Sequence, residues 1–272
     1  MDVSNFFPSY TAIESESFYQ DLYEMKEFHD LASPGKMDGF YHHQIFPARF
    51  LSPWTSLYYN SLMLIHDTGT GKSASISALL NITKSYNPNV RMLYLTRNDV
   101  LIANFKRELI KLCPYLQQVI AKNEGRYEDN KELVFRHEKI DFSTFATFSN
   151  RLKESSISLL QKYNNALIVF DEVHHIVNEN LTNYLRIQEF LTKLPRKRLL
   201  LSTATPMRDS LLEALLLINL MLPPAEHFPV GEAFVKEYLS QKERNELKDY
   251  SQEKLVEYGW KNKVQENRFR RK

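Results

Sequence analysis

"SLMLIHDTGTGKS", residues 61–73, joins a short apolar run to a glycine-containing loop that ends in Lys72-Ser73. An apolar strand, a tight loop and a helix start are the setting a phosphate cradle needs, because the helix N-terminus brings unpaired N–H groups and partial positive charge to one point. Gly69 and Gly71 let backbone N–H groups curl around a phosphate. Lys72 reaches the β and γ phosphates and Ser73 can ligate Mg²⁺. The expectation is therefore an ATP and Mg²⁺ site built on His66, Asp67, Thr68, Gly69, Thr70, Gly71, Lys72 and Ser73. The usual pattern G-x-x-x-x-G-K-[ST] begins with glycine, where this sequence has His66. That exchange costs turn freedom and removes no phosphate-contacting group.

Working outward, short apolar runs alternate with helical periodicity. The runs are "SLMLI", "VRMLYL", "KIDFSTF", "ALIVF" and "RLLLS". Helices are expected after Lys72 and over "DVLIANFKRELIKL", "LTNYLRIQEFLTKL" and "LLEALLLINLML". Such alternation implies an α/β fold, a doubly wound and mostly parallel sheet covered on both faces. Ligands then bind at the carboxyl ends of the strands. The expected organisation is a helical N-terminal appendage over residues 1–40, a nucleotide-binding lobe over 41–222 and a charged C-terminal extension over 223–272. In the appendage, "SESFYQDLYEMKEFHDL" is patterned as one amphipathic helix.

"ALIVFDEVHHI" supplies a second motif on the same sheet edge, an apolar strand ending in Asp171-Glu172. Two carboxylates there suit a Mg²⁺-dependent hydrolase, Asp171 holding the metal shell and Glu172 orienting or deprotonating water. Lys72 and Glu172 are the expected catalytic pair. An acidic helix cap, or a metal site on His174 and His175, would use the same residues differently. Adjacent histidines, however, lack the i, i+4 spacing of a helical zinc motif.

Composition narrows the classes. The chain has 272 residues, 43% hydrophobic and 25% charged, enough for one large core. A net charge of +2 neither demands nor excludes nucleic acid. The single cysteine, Cys113, forms no internal disulfide and fits a reducing, intracellular setting. The longest apolar stretch, Leu211 to Leu222, is interrupted by Glu213 and too short to span a bilayer, so no membrane is expected.

"DEVH" followed by "LLSTATP" resembles motifs II and III of superfamily-two helicases and translocases. More narrowly, "YHHQIFPARFLSP", "LMLIHDTGTGKS", "LIVFDEVHHI" and "LPPAEHFPVGEAF" resemble the nucleoside-triphosphate phosphohydrolase and early-transcription-factor ATPases of poxviruses and related large DNA viruses. In that group a histidine commonly replaces the first glycine of the loop. The resemblance runs from about Tyr41 to about Phe234 and implies a RecA-like lobe of a nucleic-acid-dependent ATPase in viral transcription or DNA metabolism. It places the protein in a virion or host cytoplasm.

Carried onto this sequence, the resemblance makes Gln44 the adenine reader, a surface helix residue being the alternative. His174, Thr203 and Thr205 would couple the metal site to motif III. Thr96, Arg97 and Asn98, after the second strand, would contact nucleic-acid backbone without sequence preference, as would Thr147 in "DFSTFATFSN". A helix N-cap at Asn98 or Asp99, and an ordinary strand end at Thr147, compete with those roles. No second strand–helix series follows Leu222, so a second RecA-like lobe is expected from a longer chain or a partner subunit. The basic cluster Arg268, Arg270, Arg271 and Lys272 sits too near the terminus to belong to it. Two other readings stand beside this one. One is a nucleotide-binding interaction module without turnover. The other is a small-metabolite kinase, which leaves "DEVH" and "TATP" as coincidences.

Overall fold

The computed structural model describes residues 16–24, 26–51, 60–67, 69–123, 126–127, 132–179, 181–194, 196–206 and 211–229. Thr68, the basic C-terminal cluster and most of the expected C-terminal extension lie outside the described residues.

In chain order, helices α1 (Phe18–Glu24) and α2 (Lys26–His29) precede a small hairpin of β1 (Lys36–Met37) and β2 (Phe40–Tyr41), then α3 (His42–Phe50). The lobe follows with β3 (Ser61–Ile65), α4 (Lys72–Tyr86), β4 (Met92–Thr96), α5 (Asp99–Leu112), α6 (Pro114–Lys122) and α7 (Glu132–His137). It continues through β5 (Ile140–Thr144), α8 (Phe145–Tyr163), β6 (Ala166–Asp171), α9 (His174–Glu179), α10 (Leu181–Lys193), β7 (Lys197–Thr203) and α11 (Leu211–Asn219).

The five expected strands form one sheet in the order β3-β7-β6-β4-β5. Every neighbouring pair in it is parallel. Strand alternation sends side chains to two separate cores. Met92, Tyr94, Leu167, Val169 and Leu200 join one core, with Ile76, Leu80, Phe105 and Leu109 of α4 and α5. Leu93, Leu95, Ile168, Phe170, Leu199 and Leu201 join the other, with Leu152, Tyr184, Ile187 and Phe190 of α8 and α10. Burial on both faces explains why these strands read as unbroken apolar runs rather than alternating ones. Each such side chain stabilises the fold by about 1.5–3 kcal/mol through area removed from water.

The expected N-terminal helix is helical over Phe18–Glu24 and Lys26–His29. Between β4 and β5 the chain makes three helices where one was expected. Pro114 opens α6 at its first turn, where a missing N–H costs nothing. α8, kinked at Ser155 (φ −147°, ψ 46°), starts where Thr144 accepts a hydrogen bond from the Thr147 amide, so the expected strand "KIDFSTF" ends before Phe145. Among the described residues no helix is long and apolar enough to cross a membrane.

Candidate nucleotide site

Three adjacent strands, β3, β7 and β6, end side by side at the carboxyl edge. Ile65 is in register with Thr203, and Ser202 with Asp171. The pairing continues past the strands: the His66 amide donates to the Thr203 carbonyl at 3.1 Å and the Val173 amide to the Ser202 carbonyl at 3.1 Å. The glycine loop, the Asp-Glu pair and the Ser202-Thr203 end are therefore locked into one platform by backbone bonds.

Within the loop, Gly69 and Gly71 take φ of +85° and +95°. Those values lie in the left-handed region, where an L side chain costs roughly 1–2 kcal/mol. Gly71 caps α4, whose first residue is Lys72. A Cβ at Gly71 would collide with the Gln44 amide nitrogen. Gln44 is buried rather than on a surface, and its Oε1 accepts a hydrogen bond from the Tyr41 amide at 3.0 Å, closing the N-terminus of α3. Its amide is thereby held against the loop. His43, which the sequence reading did not single out, reaches the Thr70 carbonyl at 3.4 Å with its Nε2 and meets the His66 ring edge-on. Burial, with His43 and Lys72 nearby, lowers the His66 imidazole below its ordinary value, favouring the neutral ring. Asp67 and Thr70 are exposed, and the Thr70 hydroxyl donates to the Asp67 carbonyl at 2.7 Å.

Lys72 and Glu172 meet across this platform, Nζ to Oε1 at 3.0 Å. Glu172 reaches Lys72 from a backbone φ of +52°, an uncommon conformation for a non-glycine residue and one that concentrates at functional sites. Its other oxygen lies 3.5 Å from His174 Nδ1, which itself pairs with the Thr203 hydroxyl at 2.8 Å. The Thr205 amide donates to that same hydroxyl at 3.1 Å. Lys72, Glu172, His174, Thr203 and Thr205 thus form one continuous polar chain. The His174 ring is turned into it rather than toward a metal shared with His175.

Asp171 differs from Glu172 in every respect. Its Oδ2 accepts a 2.6 Å hydrogen bond from the Tyr94 hydroxyl, while its Oδ1 is buried and has no protein partner. Burial pushes its carboxyl above the ordinary carboxylate range, and the Tyr94 bond opposes that rise. A buried carboxylate oxygen without a partner is expensive unless a cation or water meets it. Asp171 fits a Mg²⁺ shell on that ground, and Ser73, on the first turn of α4, is the companion ligand the motif supplies. Tyr94 was not foreseen. The signal was present, since a tyrosine inside an otherwise aliphatic buried strand needs a partner for its hydroxyl.

The expected nucleic-acid residues separate. β4 and β5 are register neighbours with Thr96 opposite Thr144, so the turns after them lie side by side on the same edge as the loop. Arg97 and Asn98 are exposed there, and so is Thr147. Asn98 also caps α5, its side chain accepting from the Leu101 amide at 3.0 Å. Thr96 is corrected: it is fully buried as the last residue of β4, so its hydroxyl does not reach an external backbone.

Residues 52–208 match the family described as type III restriction enzyme, res subunit. A candidate ATP-dependent RNA helicase of Heliothis virescens ascovirus 3e is 29% identical over 202 residues, 73% of this chain and 21% of that protein. A candidate helicase, 087L, of Invertebrate iridescent virus 3 is 27% identical over 242 residues, 80% of this chain and 24% of the relative. A candidate ATP-dependent RNA helicase, R563, of Acanthamoeba polyphaga mimivirus is 25% identical over 254 residues, covering 85% of this chain and 42% of its own length. The chain therefore spans less than half the length of each of these relatives.

Proposed function

The chain belongs to the type III restriction enzyme res-subunit family, within the superfamily-two helicases of RecA-like fold, and we propose that it is the ATP-binding first lobe of a nucleic-acid-dependent helicase or translocase. The observation that carries this reading is the meeting of Lys72, Glu172, His174 and Thr203 beside a buried, half-partnered Asp171. A phosphate-contacting cation, a water-directing carboxylate and a metal-holding carboxylate then share one sheet edge.

The proposed chemistry is in-line attack of water on the γ-phosphate of ATP. Ser73 and Asp171 would hold Mg²⁺, which would supply neutralisation of phosphate charge. Lys72 leaves its ion pair with Glu172 to meet the phosphates. Glu172, freed of Lys72, orients and deprotonates water. His174 and Thr203 carry the state of Glu172 toward Thr205, the direction in which a second lobe would be engaged. Gln44 reads the adenine edge, since its amide already lies against Gly71. Arg97, Asn98 and Thr147 hold nucleic-acid backbone, a role that gives steep salt dependence and no sequence preference. Viral transcription or DNA metabolism is the setting this reading favours, because three of the matched relatives are proteins of large DNA viruses.

The test is calorimetric titration of ATP with and without Mg²⁺, followed by turnover with and without single-stranded and duplex DNA or RNA. Mg²⁺-dependent binding with nucleic-acid-stimulated turnover, in this chain or one extended through a second lobe, is the expected result. Binding without turnover in every arm would leave a nucleotide-binding interaction module instead.

A further inference from the structure

We propose that Tyr94 is a positioning residue for the metal-holding carboxylate, keeping Asp171 turned so that one oxygen stays free for Mg²⁺; this rests on the nucleotide-site reading above.

Tyr94 and Asp171 are 77 residues apart and lie on adjacent strands, β4 and β6. The register pairs Tyr94 with Val169 and Leu95 with Phe170, so the tyrosine starts two residues short of Asp171 and its ring spans that gap. The ring has little freedom to do otherwise. It is fully buried, stacks on Phe105 at 4.1 Å with planes 6° apart, and is flanked by Phe142 at 5.8 Å. α5 supplies Phe105 and β5 supplies Phe142, so two elements fix the direction of the phenol.

The consequence falls on the carboxylate. A free aspartate side chain rotates about its last torsion, which is broad and two-fold, and can offer either oxygen or both. With Oδ2 engaged at 2.6 Å, rotation would break its bond to the Tyr94 hydroxyl. Oδ1 is thus left as the carboxylate oxygen available to a metal. Donors behind a metal ligand orient it in this way, and removing them typically costs about 10–100-fold in metal affinity or activity. The strand that carries Tyr94 ends at buried Thr96 and leads directly into Arg97 and Asn98, so the carboxylate is braced by the same strand that delivers the proposed nucleic-acid contacts.

The decisive variant is Tyr94→Phe, which keeps the stacked ring and deletes the hydroxyl. ADP binding is measured by calorimetry with Mg²⁺ and with EDTA, for the wild-type chain, Tyr94→Phe, Asp171→Asn and Phe105→Leu, each checked by thermal melting. The expected result is that Mg²⁺ tightens ADP binding in the wild type, that Asp171→Asn abolishes this gain, and that Tyr94→Phe reduces it by about 10–100-fold with EDTA affinity unchanged. Phe105→Leu keeps the hydroxyl and loses packing, so it should lower the melting temperature while retaining most of the gain. A full Mg²⁺ gain in Tyr94→Phe, with Asp171→Asn still deficient, overturns the proposal and leaves the nucleotide site standing. Equal loss of the gain in Phe105→Leu and Tyr94→Phe also overturns it, since packing alone would then account for the effect. No Mg²⁺ gain in the wild type removes the site reading and this proposal together.

Discussion

Lys72 Nζ stands 3.0 Å from Glu172 Oε1, so the cation proposed to meet phosphate is paired with the residue proposed to direct water. The pair joins the start of α4 to the end of β6, and on the proposed reading an incoming triphosphate would displace the carboxylate. Such an arrangement keeps a strongly hydrated ammonium and a carboxylate satisfied in a partly buried site, which neither could tolerate alone.

Replacing Lys72 with alanine is therefore expected to cost about 10–100-fold in ATP affinity, the range set by about 1.5–3 kcal/mol for hydrogen bonds to charged groups. The fold should persist with some loss of stability, because the Glu172 carboxylate left behind is 22% exposed and can be met by water. Calorimetry beside circular dichroism checks both halves. Unchanged ATP affinity in a folded variant removes Lys72 from the site.

Glu172→Gln separates binding from chemistry. The amide keeps the size of the side chain but no longer competes for Lys72, so nucleotide affinity should hold or improve slightly. Turnover should fall by about 10²–10⁴, the usual contribution of a positioned general base. Parallel loss of affinity would instead make Glu172 a ligand of the metal.

Gly71 and Gly69 offer a matched contrast. Both have positive φ, but a Cβ at Gly69 meets open space while one at Gly71 runs into the Gln44 amide. That amide cannot yield freely, since Gln44 is buried and bonded to the Tyr41 backbone. Gly71→Ala should therefore lose more ATP affinity than Gly69→Ala, and should also blunt discrimination between ATP and GTP. Equal defects in competition binding would show that backbone strain alone governs the loop.

Much of this was legible in the sequence because the signals were local. The four strands β3, β4, β6 and β7 are apolar runs bounded by loops, and α5 coincides with its periodic stretch "DVLIANFKRELIKL". The pairing of Lys72 with Asp171 and Glu172 followed from motif type and from the rule that ligands gather at strand ends. What escaped was non-local or masked by an ambiguous residue. Tyr94 acts on a partner 77 positions away, and no spacing rule connects them. Thr96 looked like a polar loop residue but ends a buried strand. In α8 the aromatic opening "FATF" extends the strand pattern before it, so only the Thr144 cap marks the change.

Lys84 carries a stability prediction outside the nucleotide site. It is fully buried on α4 and donates to the carbonyls of Pro88, at 2.9 Å, and Glu138. Burial lowers its ammonium from 10.5 to about 8, with Glu138 opposing. A lysine that releases its proton more readily when folded penalises the fold below about pH 8, and the penalty is relieved as pH rises from there toward 10.5. Wild-type melting temperature should therefore gain on that of Lys84→Met between about pH 7.5 and 9.5. A difference that stays flat across that window would mean the lysine is already fully compensated by its carbonyls.

The rate of hydrolysis tests the proposed need for a second lobe. On the proposed reading Lys72, Glu172 and a Mg²⁺ held by Asp171 would supply a cation, a base and charge neutralisation from one side of the nucleotide. In related phosphoryl-transfer sites an arginine delivered from the opposite side contributes about 10³–10⁵ in rate. ATP turnover by this chain alone is therefore expected to lie well below about 1 s⁻¹, the low end of typical enzymes. Nucleic-acid affinity should be weak and should fall steeply with salt, because backbone contacts from Arg97, Asn98 and Thr147 make only part of a groove. Steady-state assays on a monodisperse monomer decide the matter. Turnover above about 1 s⁻¹, abolished by Glu172→Gln to exclude a contaminant, would show that one lobe suffices. Turnover that rises with the square of protein concentration would place the missing arginine on a second copy of the same chain.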